Sequence, residues 1–448
     1  MTRIFGHFVA LEMAGLWLLE FVPCLLVLHV LMLPAGASWS DMDVLQHAAA
    51  LALAVSTTWA AIGLYQPEIC LRTNHLLIST ATGALLALPA LVLAAILVGV
   101  EPSTLLGGSI LRPVQLVLSW VALLFATRVI FRLALRTGLF ARPVLLIGAP
   151  ADTARTRAAI ERVRAGFFRV VGVASPDDQT TLSPAALGRN RVWAVVITED
   201  ARGLLPQDLL MRGKAAGLHV FSDVEFREQQ LRRIDIDRLA PDWMLFAPGL
   251  TRGRVEEVVR RAADITLSLA MLLITAPVML IAAALIRLDT PGAALYRQQR
   301  VGLHGRVFTL LKFRSMRTDA EADGPAWACV HDPRVTGVGR FIRRTRIDEL
   351  PQLLNVLRGE MSFVGPRPER PHFVAQLSDC IQCYPDRAAV KPGITGWAQV
   401  NYPYGASIED ARQKLSYDLY YVKRRSLFLD LLILVATVRV ILFQEGSR

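Results

Sequence analysis

Long apolar runs separated by short polar breaks fill the first third of the chain, at about residues 8–33, 44–65, 76–100 and 110–135. Each exceeds the ~20 residues needed to cross the hydrocarbon core, so the pattern predicts a four-helix transmembrane bundle over residues 1–140. The first run is too long, and too poorly flanked by a cleavage site, to be a simple signal peptide. Glu12 and Glu20 interrupt it, facing either the bundle interior or the interface. The first loop carries Asp41 and Asp43 without Lys or Arg, whereas Arg72 lies in the second. Arg128, Arg132, Arg136 and Arg142 close the fourth run, so the positive-inside rule sends both ends of the bundle to the cytoplasmic side.

From Pro143 the texture changes. Val144-Leu145-Leu146-Ile147, residues 170–173 and 192–198, and Leu218-His219-Val220-Phe221 read as short strands alternating with helical patterns. This predicts a small parallel α/β sheet reaching about Pro241, a Rossmann-like middle domain over residues 141–245. Its first strand turns at Gly148-Ala149-Pro150-Ala151-Asp152, where two of the three glycines of a dinucleotide fingerprint are missing. NAD binding is therefore not supported, and a degenerate domain with a scaffold or regulatory role is expected.

A fifth apolar run, 265–286, has Arg260, Arg261 and Asp264 before it and Arg287, Arg297 and Arg300 after it. Pro277 sits in its middle, where it removes a backbone bond and favours a kink. Basic residues at both ends and a central proline predict a reentrant helix over residues 264–288; an ordinary fifth crossing is the alternative. A last apolar run, 427–443, contains Asp430 and Arg439, which would be costly in hydrocarbon, so an interfacial helix is expected.

Composition agrees with a membrane protein of two or three domains: 448 residues, 53% hydrophobic, with a mean hydropathy of +0.40. The net charge of +11, carried mostly by arginine, suits anionic headgroups or phosphorylated substrates; with so many apolar runs, no nucleic-acid partner is expected. Cysteines 24, 70, 329, 380 and 383 form no regular framework. Cys380-Ile381-Gln382-Cys383 has no second pair to complete a zinc site.

Candidate chemistry lies after the fifth run. Residues 308–316 are strand-like, and alternation puts Lys312 and Arg314 on one face, either to receive a phosphate or as a solvated edge. Arg343-Arg344-Thr345-Arg346-Ile347-Asp348-Glu349-Leu350-Pro351 sets three arginines before two adjacent carboxylates. Leu350, Leu353, Leu354 and Leu357 follow helical spacing, predicting a helix from near Asp348 to Gly359 with both acids at its positive end. On spacing alone the acids are a helix cap as readily as a catalytic pair, with Arg343, Arg346 and Arg367 as salt-bridge partners.

Several ordered motifs run from about Arg254 to the C-terminus: Lys312-Phe313-Arg314-Ser315-Met316, Asp348-Glu349-Leu350-Pro351-Gln352, Met361-Ser362-Phe363-Val364-Gly365-Pro366-Arg367-Pro368, Lys391-Pro392-Gly393-Ile394-Thr395-Gly396-Trp397 and Tyr417-Asp418-Leu419-Tyr420-Tyr421-Val422. This region resembles the bacterial sugar transferase family, the monotopic phosphoglycosyl transferases. The resemblance implies an α+β catalytic domain over residues 254–448 that moves a sugar-1-phosphate from a UDP-sugar to undecaprenyl phosphate and releases UMP. It implies Asp348 as the nucleophile of a phosphosugar-aspartyl intermediate and Glu349 as the Mg2+ ligand. Arg343 and Arg367 would contact phosphate, with Lys312, Arg314, Pro368 and Asp418 as further substrate-binding positions. Four crossings and a middle α/β domain resemble the large members, which start exopolysaccharide or O-antigen units at the bacterial inner membrane with a cytoplasmic catalytic domain; a homodimer is also implied. One departure is Ala276-Pro277, preceded by Thr275, where the family often has Ser-Pro. The rival reading is an inactive, membrane-anchored nucleotide-sugar sensor or scaffold. No residue gives a readable code for the sugar.

Overall fold

The computed structural model describes residues 2–4, 7–9, 11–33, 42–65, 73–107, 111–163, 167–178, 184–205, 207–215, 217–239, 242–250, 253–318, 320, 332–402, 405 and 407–442. Asp41, Cys70, Arg72, Pro241 and Cys329 lie outside these residues. The chain divides into two compact units, residues 1–231 and 232–448.

In the first unit, the four apolar runs form α1 (Leu11–Met32), α2 (Met42–Ala61), α3 (Thr73–Leu97) and α4 (Leu111–Arg136). All four are long and apolar enough to cross a membrane by length and composition. They pack around Leu28, Leu51, Trp59, Leu91, Trp120 and Leu124, while Leu18, Leu53, Leu85, Leu118 and Leu133 point outward. Glu20 is fully buried and paired with Arg128, a charge tolerable there because it has a partner. Glu12 pairs with Arg142. Strands β1 (Arg142–Ile147), β2 (Phe168–Ala174), β3 (Ala194–Ile197) and β4 (His219–Ser222) form a parallel sheet in the order β2-β1-β3-β4. Alternate residues of β1 feed two cores, Val144 and Leu146 on one face and Leu145 and Ile147 on the other, as expected of a sheet covered on both sides. At the turn after β1, a Cβ on Gly148 would lie 1.6 Å from Thr198 Oγ1. The Ala149 amide donates to Asp200 Oδ2 at 2.8 Å. The chain's own carboxylate thus takes a backbone donor that a phosphate would use in a dinucleotide fold.

The second unit opens with residues 232–250, of which Ile234, Ile236, Trp243 and Ala247 join its core. There follow α5 (Arg254–Asp289), β5 (Leu295–Val301), β6 (Val307–Phe313), α6 (Gly337–Arg344), α7 (Gln352–Arg358), β7 (Ser362–Val364), α8 (Pro371–Cys380), β8 (Gly393–Thr395), α9 (Ile408–Arg424) and α10 (Leu427–Leu442). Strands β5 and β6 form an antiparallel hairpin and β7 and β8 a short parallel pair, so this unit mixes α and β. Helix α5 is a fifth segment with the length and composition to cross a membrane. Its 36 residues run on through Pro277, and Leu269, Leu273, Ile274, Leu280 and Ile281 in its middle are exposed. Its beginning hydrogen-bonds β7 through Asp264. Near its end, Ala282 and Ile286 pack with Phe313 and Ile342. Thr275 Oγ1 donates to Met271 O at 2.7 Å, whereas the carbonyl deprived of an amide by Pro277 is that of Leu273, four residues back. The two charges of α10 are both engaged: Asp430 bonds Arg260 and Tyr421, and Arg439 donates to Val400 O.

Candidate active site

Asp348 and Glu349 do not begin an α-helix. They occupy a 3-10 turn, Ile347–Glu349, and α7 starts only at Gln352 after Pro351. The apolar spacing that predicted one helix is continuous across this break, but Arg346 adopts a left-handed conformation with φ 60 and redirects the chain. Helix α7 holds the turn in place. Its Asn355 is fully buried; the Oδ1 accepts from Leu311 N at 3.0 Å and the Nδ2 donates to Thr309 O at 2.8 Å. One side chain thereby docks α7 along β6, and β6 delivers Lys312, whose Nζ lies 3.8 Å from Glu349 Oε1.

Arg367 arrives from the other side. A Cβ on Gly365 would lie 2.3 Å from Lys391 O, and one on Gly393 would lie 2.1 Å from Gly365 N. Only bare backbone fits where these strands meet, which explains glycine in both motifs. Beyond that contact, Arg367 Nη2 donates to Glu349 Oε1 at 2.6 Å. Arg387 supports this loop from beneath, donating to Arg367 O at 2.8 Å, to Asp418 Oδ2 at 2.7 Å and to the Tyr384 hydroxyl at 3.0 Å. Arg300 donates to Pro368 O at 2.9 Å.

Lys312, Arg343, Asp348, Glu349, Arg367 and Asp418 all border one cavity of about 910 Å³. Met271, Thr275, Val278, Val440 and Ile441 give the same cavity an apolar side. Asp348 and Glu349 are 8% and 9% exposed. Burial, with the neighbouring Glu349 charge, pushes Asp348 up to about 6. Burial acts on Glu349 in the same sense, but the Arg367 and Lys312 charges and the Arg367 hydrogen bond outweigh it. Glu349 is held well below the usual carboxylate range. Lys312 is lowered to about 8 by burial and by Arg367. Asp348 Oδ1 is buried with no hydrogen-bond partner among the described residues. The pair is therefore asymmetric: cations gather on Glu349 Oε1, whereas Asp348 Oδ1 has no partner among the described residues.

The other expected positions divide. Arg314 borders the cavity, but its guanidinium donates to Thr290 O and Pro291 O, each at 2.7 Å, fastening the end of α5. Pro368 lines a second cavity of about 330 Å³ rather than the one holding the acids. Pro277 is inside α5. Arg346, read as a salt-bridge partner of the acids, lies 3.8 Å from Glu349 Oε1. Sequence reasoning missed two arginines: Arg300, which counted only as a charge flank, and Arg387, which lies outside the motifs yet bonds Arg367 and Asp418 in two of them.

A model described as bacterial sugar transferase matches residues 255–444. The chain is 41% identical over 264 residues to the UDP-N-acetylgalactosamine-undecaprenyl-phosphate N-acetylgalactosaminephosphotransferase of Aeromonas hydrophila, covering 58% of this chain and 62% of that protein. It is 33% identical over 344 residues to the undecaprenyl-phosphate glucose phosphotransferase of Komagataeibacter xylinus, covering 73% and 65%. It is 43% identical over 190 residues to the exopolysaccharide production protein PSS of Rhizobium leguminosarum bv. phaseoli, covering 40% of this chain and 94% of that protein. The chain thus spans just under two thirds of the first two relatives and nearly all of the third. With that match and the motifs gathered around one cavity, the chain belongs to the bacterial sugar transferase family.

Proposed function

We propose that this protein transfers a sugar-1-phosphate from a UDP-sugar to undecaprenyl phosphate, releasing UMP, as the first membrane step of exopolysaccharide or O-antigen synthesis. The observation that carries the reading is the asymmetric acid pair: among the described residues, Asp348 borders the cavity with no cation bonded to it and one oxygen unpartnered, beside a cation-paired Glu349. Ionised, the Asp348 carboxylate attacks the sugar-side phosphorus. The bond from this phosphorus to the bridging oxygen breaks, UMP leaves, and an aspartyl phosphosugar remains. An oxygen of the polyprenyl phosphate then attacks the same phosphorus and returns the carboxylate. Two displacements allow a soluble donor and a lipid acceptor to use one site in turn. Arg367 and Lys312 hold positive charge where phosphoryl oxygens would lie, and Arg343 borders the same space.

A Mg2+ ion fits this donor set, because magnesium takes one or two carboxylates together with substrate phosphate oxygens rather than a full protein cage. Glu349 would hold it beside Asp348, and when bound the ion neutralises charge on the phosphoryl groups. We also read α5 as reentrant: both of its ends pack on the same unit while its apolar middle is exposed. This reading sets the site at the cytoplasmic interface, consistent with arginine at both flanks. The four-stranded parallel sheet supports a Rossmann-like middle domain, with Asp200 occupying its first turn.

The test is UMP release across a panel of UDP-sugars with undecaprenyl phosphate and Mg2+. A donor-derived mass adduct on the peptide containing Asp348 is expected, and Asp348→Asn should lose both adduct and turnover. Unchanged UMP release in that variant would remove the covalent reading.

A further inference from the structure

The base of α5 fastens the chain segments that carry Glu349 and Arg367. Arg261 donates through Nη1 to Val356 O and through Nη2 to Leu357 O, both at 2.6 Å, near the end of α7. Asp264, one turn further and buried, accepts on Oδ1 from Ser362 Oγ at 3.0 Å and from Phe363 N at 2.9 Å. Arg260 Nε donates to Asp430 Oδ2 at 2.8 Å. The Tyr421 hydroxyl donates to the other Asp430 oxygen at 2.8 Å and lies 3.2 Å from Val364 O.

These contacts succeed one another along the sequence. Glu349 stands just before α7, and Arg261 holds the far end of that helix. Gly359, with φ 82, reverses the chain. Asp264 holds the first residues of β7, the Arg260 relay reaches its last residue, and Gly365-Pro366-Arg367 comes next. The two partners of the Glu349–Arg367 bond therefore hang from opposite arms of one bend, and that bend is bolted to the membrane helix. Arg260, Arg261 and Asp264 do not line the cavity.

We propose that Arg261 and Asp264 are positioning residues, through which the seating of α5 in the bilayer sets the spacing between Glu349 and Arg367. The inference rests on the activity proposed above. Anchoring alone does not require this placement: Ala282 and Ile286 dock the other end of the helix by apolar packing. The polar fasteners fall instead on the two arms that lead to the charges. The Arg261 fork meets two carbonyls from two separate nitrogens, a fixed planar geometry that the single ammonium nitrogen of a lysine does not reproduce.

The experiment uses the full chain in lipid nanodiscs, with UMP release followed at varied donor concentration. Displacement of reacting groups by about 1 Å can cost ~100-fold in rate, so Asp264→Ala should lower kcat about 10- to 100-fold with KM for the donor within about threefold. Asp264→Asn keeps the Oδ1 acceptor for both donors and should return to within about threefold of the parent. Arg261→Lys should fall with Asp264→Ala. Hydrogen exchange over residues 356–367 should be faster in Asp264→Ala than in Asp264→Asn, a readout independent of turnover. The inference is overturned if Asp264→Ala keeps its kcat, if Asp264→Asn falls equally far, or if the loss merely equals a loss of folded protein. It is also overturned if exchange over 356–367 is unchanged. A parent protein that releases no UMP from any UDP-sugar would refute the proposed activity instead, leaving the exchange result to judge the coupling.

Discussion

Replacing Asn355 with alanine tests how the acids are held more directly than replacing the acids themselves. The substitution removes Oδ1 from Leu311 N and Nδ2 from both Thr309 O and Glu360 Oε2. Two backbone groups of β6 then lose their partner beside a fully buried position. Each orphaned group costs about 1–3 kcal/mol, so the variant should lose about 4 kcal/mol. For a unit of this size, at about 2–4 °C per kcal/mol, the first unfolding transition should fall by roughly 8–16 °C. Because Asn355 ties α7 to the strand bearing Lys312, UMP release should also fall, by about tenfold or more at a temperature where the fold persists. Thermal unfolding in nanodiscs and UMP release on the same sample measure both effects. Asn355→Asp is the companion variant: it keeps the acceptor for Leu311 N, loses the donation to Thr309 O, and sets a second carboxylate against Glu360. It should therefore be destabilised as well. A transition within about 2 °C of the parent for Asn355→Ala would refute the docking argument.

Three further outcomes concern the charges. UMP release should rise as pH passes about 6, where Asp348 ionises, and decline above about 8, where Lys312 loses its proton; a flat profile from pH 5 to 9 would contradict both assignments. The raised Asp348 value also favours the folded state while the acid is protonated, so that stability is fully present below pH ~4 and lost as pH rises through about 6. Asp348→Asn should unfold without this pH-dependent loss. Arg387→Met leaves Asp418 buried without its cation and should cost about 3–5 kcal/mol. Arg387→Met combined with Asp418→Leu should be the more stable of the two, and the reverse order of melting temperatures would argue against the pair. In the membrane bundle, Glu20→Ala strands Arg128 and should cost a similar ~3–5 kcal/mol, read as loss of detergent-stable protein, while Glu20→Ala with Arg128→Leu recovers part of it.

The elements that sequence alone exposed are those whose physics is periodic. Apolar runs gave the helices of the bundle to within a few residues, and short β-rich runs gave all four strands of the parallel sheet. Alternation found Lys312, but it failed for Arg314 because β6 ends at Phe313 and the next side chain turns back onto carbonyls of another segment. Leucine spacing ran across Pro351 as though one helix began at Asp348, since an arginine in a left-handed conformation leaves no mark in a pattern of apolar positions. Glu20 had two possible surroundings until Arg128, distant in sequence, was placed beside it. Arg387 and Arg300 were unreadable for a related reason: each acts on a backbone carbonyl, and a carbonyl has no sequence identity. The three arginines preceding the acids drew attention by proximity, yet the nearest cation to Glu349 is Arg367, delivered by a glycine contact between two strands.

That glycine contact also governs when the site can come into being. Strand β7 pairs with β8, which is translated later, and the loop bearing Arg367 is supported by Arg387 and Asp418, later still for the second. The acids leave the ribosome before any of these. A chain halted after Glu349 therefore carries α5, Lys312, Arg346 and both acids, but lacks Arg367 and the strand that delivers it. On the activity proposed above, the order of synthesis keeps the acid pair without its Arg367 partner until the second unit is nearly complete, so chains truncated before α9 should accumulate at the membrane without consuming donor sugar.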